Sequence, residues 1–144
     1  MHLEQIVPIL QLAIGPVIVI SGVGLLLLSM TNRFGRIIDR SRLLAESNDD
    51  DSLSATHHIK EQLSIMMRRA RLLRSAIAFI SISLLLDAVL IISLFLFALI
   101  KYEGTIIIIT IFIGCMISLI VSLLYFIADI NVSLSALKIE TNTR

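Results

Sequence analysis

Three long apolar runs, Ile6 to Met30, Ser75 to Ile100 and Thr105 to Ala128, alternate with polar stretches along the chain. A helix rises about 1.5 Å per residue and a bilayer's hydrocarbon core is about 30 Å thick, so each run is long enough to cross. The pattern predicts an all-α integral membrane protein with three transmembrane helices. The spans fall at about 7–30, 75–100 and 105–128, in a single membrane domain covering 1–144.

The helical period does not stop where the first apolar run ends. The stretch SGVGLLLLSMTNRFGRIIDRSR, Ser21 to Arg42, passes from apolar to arginine-rich without a loop signal. Phe34, Ile37, Ile38 and Leu44 fall on one side of the continued helix, and Arg33, Arg36 and Arg40 on another. The first helix is therefore expected to project to about Glu46, with a mild kink at Pro16. SNDDDSLS, Ser47 to Ser54, is the clearest turn signal, and Ser54 or Thr56 is a candidate cap. From about Ala55, the positions Ile59, Leu63, Met66, Met67, Ala70 and Leu73 keep a helical period into the second span. The two extensions, 31–74, are expected to pair as a cytoplasmic helical hairpin, with Met66 and Met67 as packing. A second hairpin turns at Lys101, Tyr102, Glu103 and Gly104. With Ile100 and Thr105 level, residue i of helix two faces about residue 205 minus i of helix three. That register sets Asp87 level with Ser118, and Ser83 with Ser122, with Ser21 of helix one near the same depth.

Composition agrees with this reading: 57% apolar residues and 16% charged, with a mean hydropathy of +0.97, lie far from soluble usage. The net charge of +1 says little, but its distribution says more. Arg33, Arg36, Arg40, Arg42, Lys60, Arg68, Arg69, Arg71 and Arg74 lie between the first two spans, leaving only Lys101, Lys138 and Arg144 elsewhere. The positive-inside rule puts that segment in the cytoplasm, the N-terminus and KYEG turn outside, and the tail 129–144 inside. The same arginines flank spans, where topology and anionic lipid explain them better than nucleic acid. The N-terminal run lacks a basic leader and carries Glu4, so it reads as a retained helix rather than a signal peptide.

In helix one, Gly15, Gly22 and Ser29 recur every seven residues, with Gly24 nearby. In lipid, where no hydrophobic drive brings helices together, small residues on one stripe let backbones approach, so a packing role is expected. The alternative is a broken helix lining an ion site. Helix three carries Thr110, Gly114, Ser118, Ser122 and Asp129 near one stripe, which suits packing or a polar pore lining. Asp87 lies at mid-span, where an ionised carboxylate costs about 2.5–3.5 kcal/mol, so it should face protein or water. With Ser83 one turn away, it could relay protons or bind a cation, or it could stabilise assembly as a protonated group bonded to serines. Asp129, near the cytoplasmic boundary, is expected to pair with Arg74, Arg33 or Arg36. Arg40 and Arg71 belong to the same boundary as ion-pairing or lipid-facing groups.

Cys115 is alone, which excludes an internal disulfide or a cysteine zinc site, and packing is its expected role. His57 and His58 are adjacent and point about 100° apart on a helix, so they do not make the i, i+4 pair a metal wants. Asp49, Asp50 and Asp51 lack the glycine and terminal glutamate of a calcium loop. No metal or other cofactor is expected. The chain has no nucleophile elbow, phosphate-binding glycine loop or HExxH, which argues against an enzyme.

The segments ISGVGLLLLSMTNRFGRIIDRSR (Ile20 to Arg42), MMRRARLLRSAI (Met66 to Ile77) and the pattern from Asp129 to Leu137 resemble a family of small bacterial membrane proteins known only as domain of unknown function 2721. The resemblance implies a three-helix bacterial membrane protein and brings no catalytic residues. The layout is also similar to the proton-channel subunits of flagellar and outer-membrane motors, a fold-level analogy. Two functions from different classes follow. One is a homo-oligomer of the bacterial inner membrane with an ion or proton pathway between protomers, lined or gated by Asp87, Ser83, Ser118 and Ser122. The other is a non-conducting scaffold or accessory subunit whose arginine-lined hairpin binds anionic lipid or a protein partner.

Overall fold

The computed structural model describes residues 3–46, 53–100 and 104–142, and the fold is all-helical over them: α1 (Leu3–Glu46), α2 (Leu53–Ile100) and α3 (Thr105–Asn142). The acidic turn, the 101–103 connection and the side chains of His57 and His58 lie outside the described residues. Each helix contains a segment long and apolar enough to cross a membrane. At about 1.5 Å per residue the 44 residues of α1 and 48 of α2 measure roughly 66 and 72 Å, more than twice the hydrocarbon thickness. Neither can lie wholly within lipid at any ordinary tilt. α1 passes through Pro8 and Pro16 as one continuous helix, and α2 already begins at Leu53, which places Ser54 and Thr56 inside it rather than at its cap.

The chain forms two compact units. One comprises Met1–Leu28 and Ala78–Val121, and the other Ser29–Ile77 and Ser122–Arg144. In both, the burial pattern departs from that of a water-soluble bundle. Many large aliphatic side chains, such as Leu25, Leu85, Ile106 and Leu124, face outward, Ile106 at 81% exposure. The interior mixes apolar residues with small, hydroxylic and even carboxylic ones: Ala13, Val23, Ile80, Ser83, Asp87, Leu90, Cys115 and Ser118 in the first unit, Met30, Ile37, Leu73, Ala76, Ser122 and Asp129 in the second. In water this arrangement would leave a large apolar area solvated. In lipid it costs nothing, because tails are as apolar as leucine and only close packing and hydrogen bonds favour the interior.

The buried positions are also periodic. On α2, Leu73, Ala76, Ile80, Ser83, Asp87 and Leu90 alternate in steps of three and four. On α3, Cys115, Ser118, Ser122 and Asp129 keep the same phase, and Val23, Met30 and Ile37 of α1 recur every seven residues. This is the spacing of a helix-pairing seam, in which one stripe stays against its neighbour over many turns.

The start of α3 shows why the expected register does not hold. The carbonyl of Gly104 accepts from the amides of Ile107 and Ile108 at 3.0 and 3.2 Å, closing the first turn of α3. Gly104 is buried against the ring of Phe97, three residues before α2 ends. α2 therefore overshoots the start of α3, and Ile100 and Thr105 are not level. A Cβ on Gly104 would stand 2.6 Å from the Phe97 ring, closer than any real contact. Gly104→Ala is expected to lower the thermal midpoint of the purified protein in detergent, with a cost of about 1–3 kcal/mol typical of overpacking. Adding Phe97→Ala should cancel most of that overpacking cost when the double variant is compared with Phe97→Ala alone. Equal shifts from Gly104→Ala in both backgrounds would show that the ring is not what excludes the side chain.

Candidate functional site

In the first unit, Ser83 and Cys115 clasp α2 to α3. The Ser83 hydroxyl donates to the Cys115 carbonyl at 3.0 Å and lies 3.3 Å from its Sγ, while the Cys115 thiol donates to the Ser83 carbonyl at 3.3 Å. One turn along, Ser118 donates to the carbonyl of Phe79 at 2.7 Å. In the second unit, Ser122 donates to the carbonyl of Ala76 at 2.7 Å. Residue numbers in these pairs add to 197 or 198 rather than 205, a shift of one heptad, or about 10 Å along the helix. Asp87 is thus not level with Ser118, nor Ser83 with Ser122. All three buried serines spend their hydroxyl hydrogens on main-chain carbonyls, bonds that average about 0.6 kcal/mol each between membrane helices.

Such bonds need helices in near contact, and the residues on the seam provide it. Ala76 and Ser122 are fully buried, and a Cβ added to Gly114 would meet Leu86 at an ordinary 3.8 Å. Cys115 does more than fill space, since its thiol and carbonyl both join the clasp. Thr110, by contrast, is exposed and bonds the Ile106 carbonyl of its own helix. Ser21 is likewise exposed and bonds Val17.

Asp87 lies on the buried stripe at 2% exposure, as its cost in lipid demands, and its Oδ2 has no hydrogen-bond partner among the described residues. Its neighbour one turn before, Ser83, has its hydroxyl turned to Cys115. A buried carboxyl oxygen left without a partner is uncommon and marks either strain or a role beyond packing.

In the second unit, Asp129 is fully buried and its Oδ1 accepts from Arg69 Nε at 3.3 Å, while its Oδ2 has no partner among the described residues. The partner is neither Arg74 nor Arg33 nor Arg36, because the one-heptad shift carries Asp129 past Arg74. Arg33 instead lies over the ring of Phe126, with its guanidinium carbon 5.3 Å from the centroid, a cation–π contact between α1 and α3. Arg69 is not among the partners expected for Asp129, yet the sequence holds a signal for it. It lies four residues before Leu73, in phase with the three–four alternation, whereas Arg68, Arg71 and Arg74 are out of phase and exposed.

Arg36, Arg40, Arg68, Arg71 and Arg74 point outward, and no ion pair holds any of them among the described residues. Among the described residues the α1 glycines meet no close neighbour: Gly15, Gly22 and Ser29 are exposed, and a Cβ on Gly15, Gly22 or Gly24 would meet nothing within 4 Å. Among the described residues no group of three His, Cys, Asp or Glu side chains converges as a metal site would require.

The family described as Protein of unknown function (DUF2721) matches residues 13–139, and the chain belongs to it. No curated protein and no solved structure matches the chain.

The Arg69–Asp129 pair is unequally exposed, 21% against 0%, so its two halves should differ when cut. Arg69→Ala strands a fully buried carboxylate and is expected to cost about 3–5 kcal/mol in reversible unfolding from mixed micelles. Asp129→Ala leaves an arginine that can turn to solvent, and should cost at least about 1 kcal/mol less. The double variant should fall short of the sum of the two. Additive losses would show that the pair is not coupled.

Proposed function

We propose that this member of the DUF2721 family acts as a non-conducting membrane scaffold or accessory subunit of the bacterial inner membrane. Its N-terminus lies outside, and the arginine-bearing extensions of α1 and α2 form a cytoplasmic helical hairpin that holds anionic lipid or a protein partner. The observation that carries this reading is the division of labour among polar groups. Ser83, Ser118 and Ser122, the hydroxyls best placed by sequence to line a pathway, are buried and bonded to backbone carbonyls. Arg36, Arg40, Arg68 and Arg71 are exposed and without carboxylate partners among the described residues. Seam hydroxyls that hold helices together are costly to redeploy toward an ion, whereas unpaired guanidinium groups beside a span are suited to anionic ligands.

Asp87 supports a second reading, an ion or proton pathway in a homo-oligomer. Its buried oxygen, without a hydrogen-bond partner among the described residues, has capacity left to take a proton or cation. The outward-facing Gly15, Gly22 and Ser29 would let a second copy approach closely along α1.

The readings separate in proteoliposomes. The scaffold predicts no ion or proton flux at any pH or voltage, and Asp87→Asn leaves the traces unchanged. Reversing Arg36, Arg40, Arg68 and Arg71 together to Glu should abolish co-purification of anionic lipid or partner. Flux that Asp87→Asn removes would overturn the scaffold and establish the pathway.

A further inference from the structure

We propose that the α2 groove lined by Ser64, Arg68, Arg71, Leu72 and Ser75 is a binding site for the phosphate of an anionic phospholipid headgroup. The inference rests on the scaffold reading and assigns one surface of it to one ligand class. The groove is a shallow, open depression of about 410 Å³ on the outer face of α2. Arg68 and Arg71 are three residues apart, so their side chains rise from the same face, about 5–6 Å apart at Cβ. Both are exposed, and no ion pair neutralises either among the described residues. The contrast with Arg69, between them in sequence, is instructive. Arg69 turns inward to Asp129, so the seam consumes one of the three guanidinium groups of this turn and leaves the other two outward as a pair.

Two free guanidinium groups at that spacing match a phosphate better than any single carboxylate, because each offers a planar fork of donors to tetrahedral oxygens. Ser75 adds a hydroxyl at the far end. The Ser64 hydroxyl already donates to the Glu61 carbonyl at 2.8 Å, so it bounds the groove rather than supplying a donor. Leu72 makes the floor partly apolar, which suits the glycerol end of a lipid more than a free, fully hydrated anion. Position decides the source of the phosphate. The groove ends at Ser75, where the apolar run of α2 begins, and therefore lies at headgroup depth when that run is in hydrocarbon.

The test uses the full-length protein in neutral detergent, titrated with phosphatidylglycerol or phosphatidylcholine and read by native mass spectrometry. Phosphatidylglycerol should bind saturably and more tightly than phosphatidylcholine. Each juxtamembrane charge is worth about fivefold in affinity for an anionic surface, so Arg68→Gln/Arg71→Gln should weaken phosphatidylglycerol binding by roughly 25-fold. Arg42→Gln/Lys60→Gln removes the same net charge from exposed positions off the groove and should change affinity less than about threefold. Thermal midpoints of both variants should match the parent, since all four side chains are exposed. Equal losses in the two double variants, or none in either, would overturn the groove. So would inorganic phosphate displacing the lipid at comparable concentration, which would mark a free-anion site. If only the fourfold charge reversal abolishes anionic lipid binding, the groove falls and the scaffold stands. Flux that depends on Asp87 would remove the scaffold reading itself, whatever the lipid titration gives.

Discussion

The close approach of α2 and α3 is the constraint from which the other features follow. A bilayer offers no solvent-driven reward for burying leucine, so two helices stay together only if their backbones come near enough for dispersion and for short polar bonds. Ala76, Ser83, Cys115, Ser118 and Ser122 are small enough to allow that approach, and four of the five then use it to reach the opposite main chain or thiol. Many bulky aliphatic residues are left on the outside, where lipid receives them without cost, while Leu73, Ile80 and Leu90 join the seam.

The same register positions both buried carboxylates. In the first unit Asp87 continues the seam beyond the Ser83–Cys115 clasp, in a place where no donor meets its Oδ2 among the described residues. In the second unit Asp129 meets Arg69, and Arg33 covers Phe126 one turn away on α3. The outcome for each acid is thus set by what the opposite helix presents at that level. A cation is available to Asp129. No described donor meets the Oδ2 of Asp87.

α1 and α2 are each more than twice as long as a bilayer core is thick, so each carries arginine-rich turns as well as an apolar segment. The phase that buries Leu73 and turns the half-buried Arg69 inward also turns Arg68, Arg71 and Arg74 away, so the outward positive face is a geometric consequence of the inward seam.

The three apolar runs, the helix ends at Glu46, Ile100 and Thr105, and the need to bury Asp87 were legible in the sequence, because length, hydropathy and the cost of a charge in lipid are local properties. The inward stripe on α2 was legible only in part: Leu73 is buried as its period demands, but Met67, expected to pack, is 53% exposed, and Arg69, outside the expected stripe, turns inward to Asp129. The helix-to-helix register was not legible. It depends on how far α2 overshoots the turn at Gly104, and a one-heptad slip keeps every stripe facing its partner while changing every pairing. Tertiary structure alone therefore decided that Ser83 meets Cys115, that Asp129 takes Arg69, and that the glycines of α1 face outward. Periodicity fixes which face of a helix turns inward, while depth along the axis is fixed only when two backbones touch.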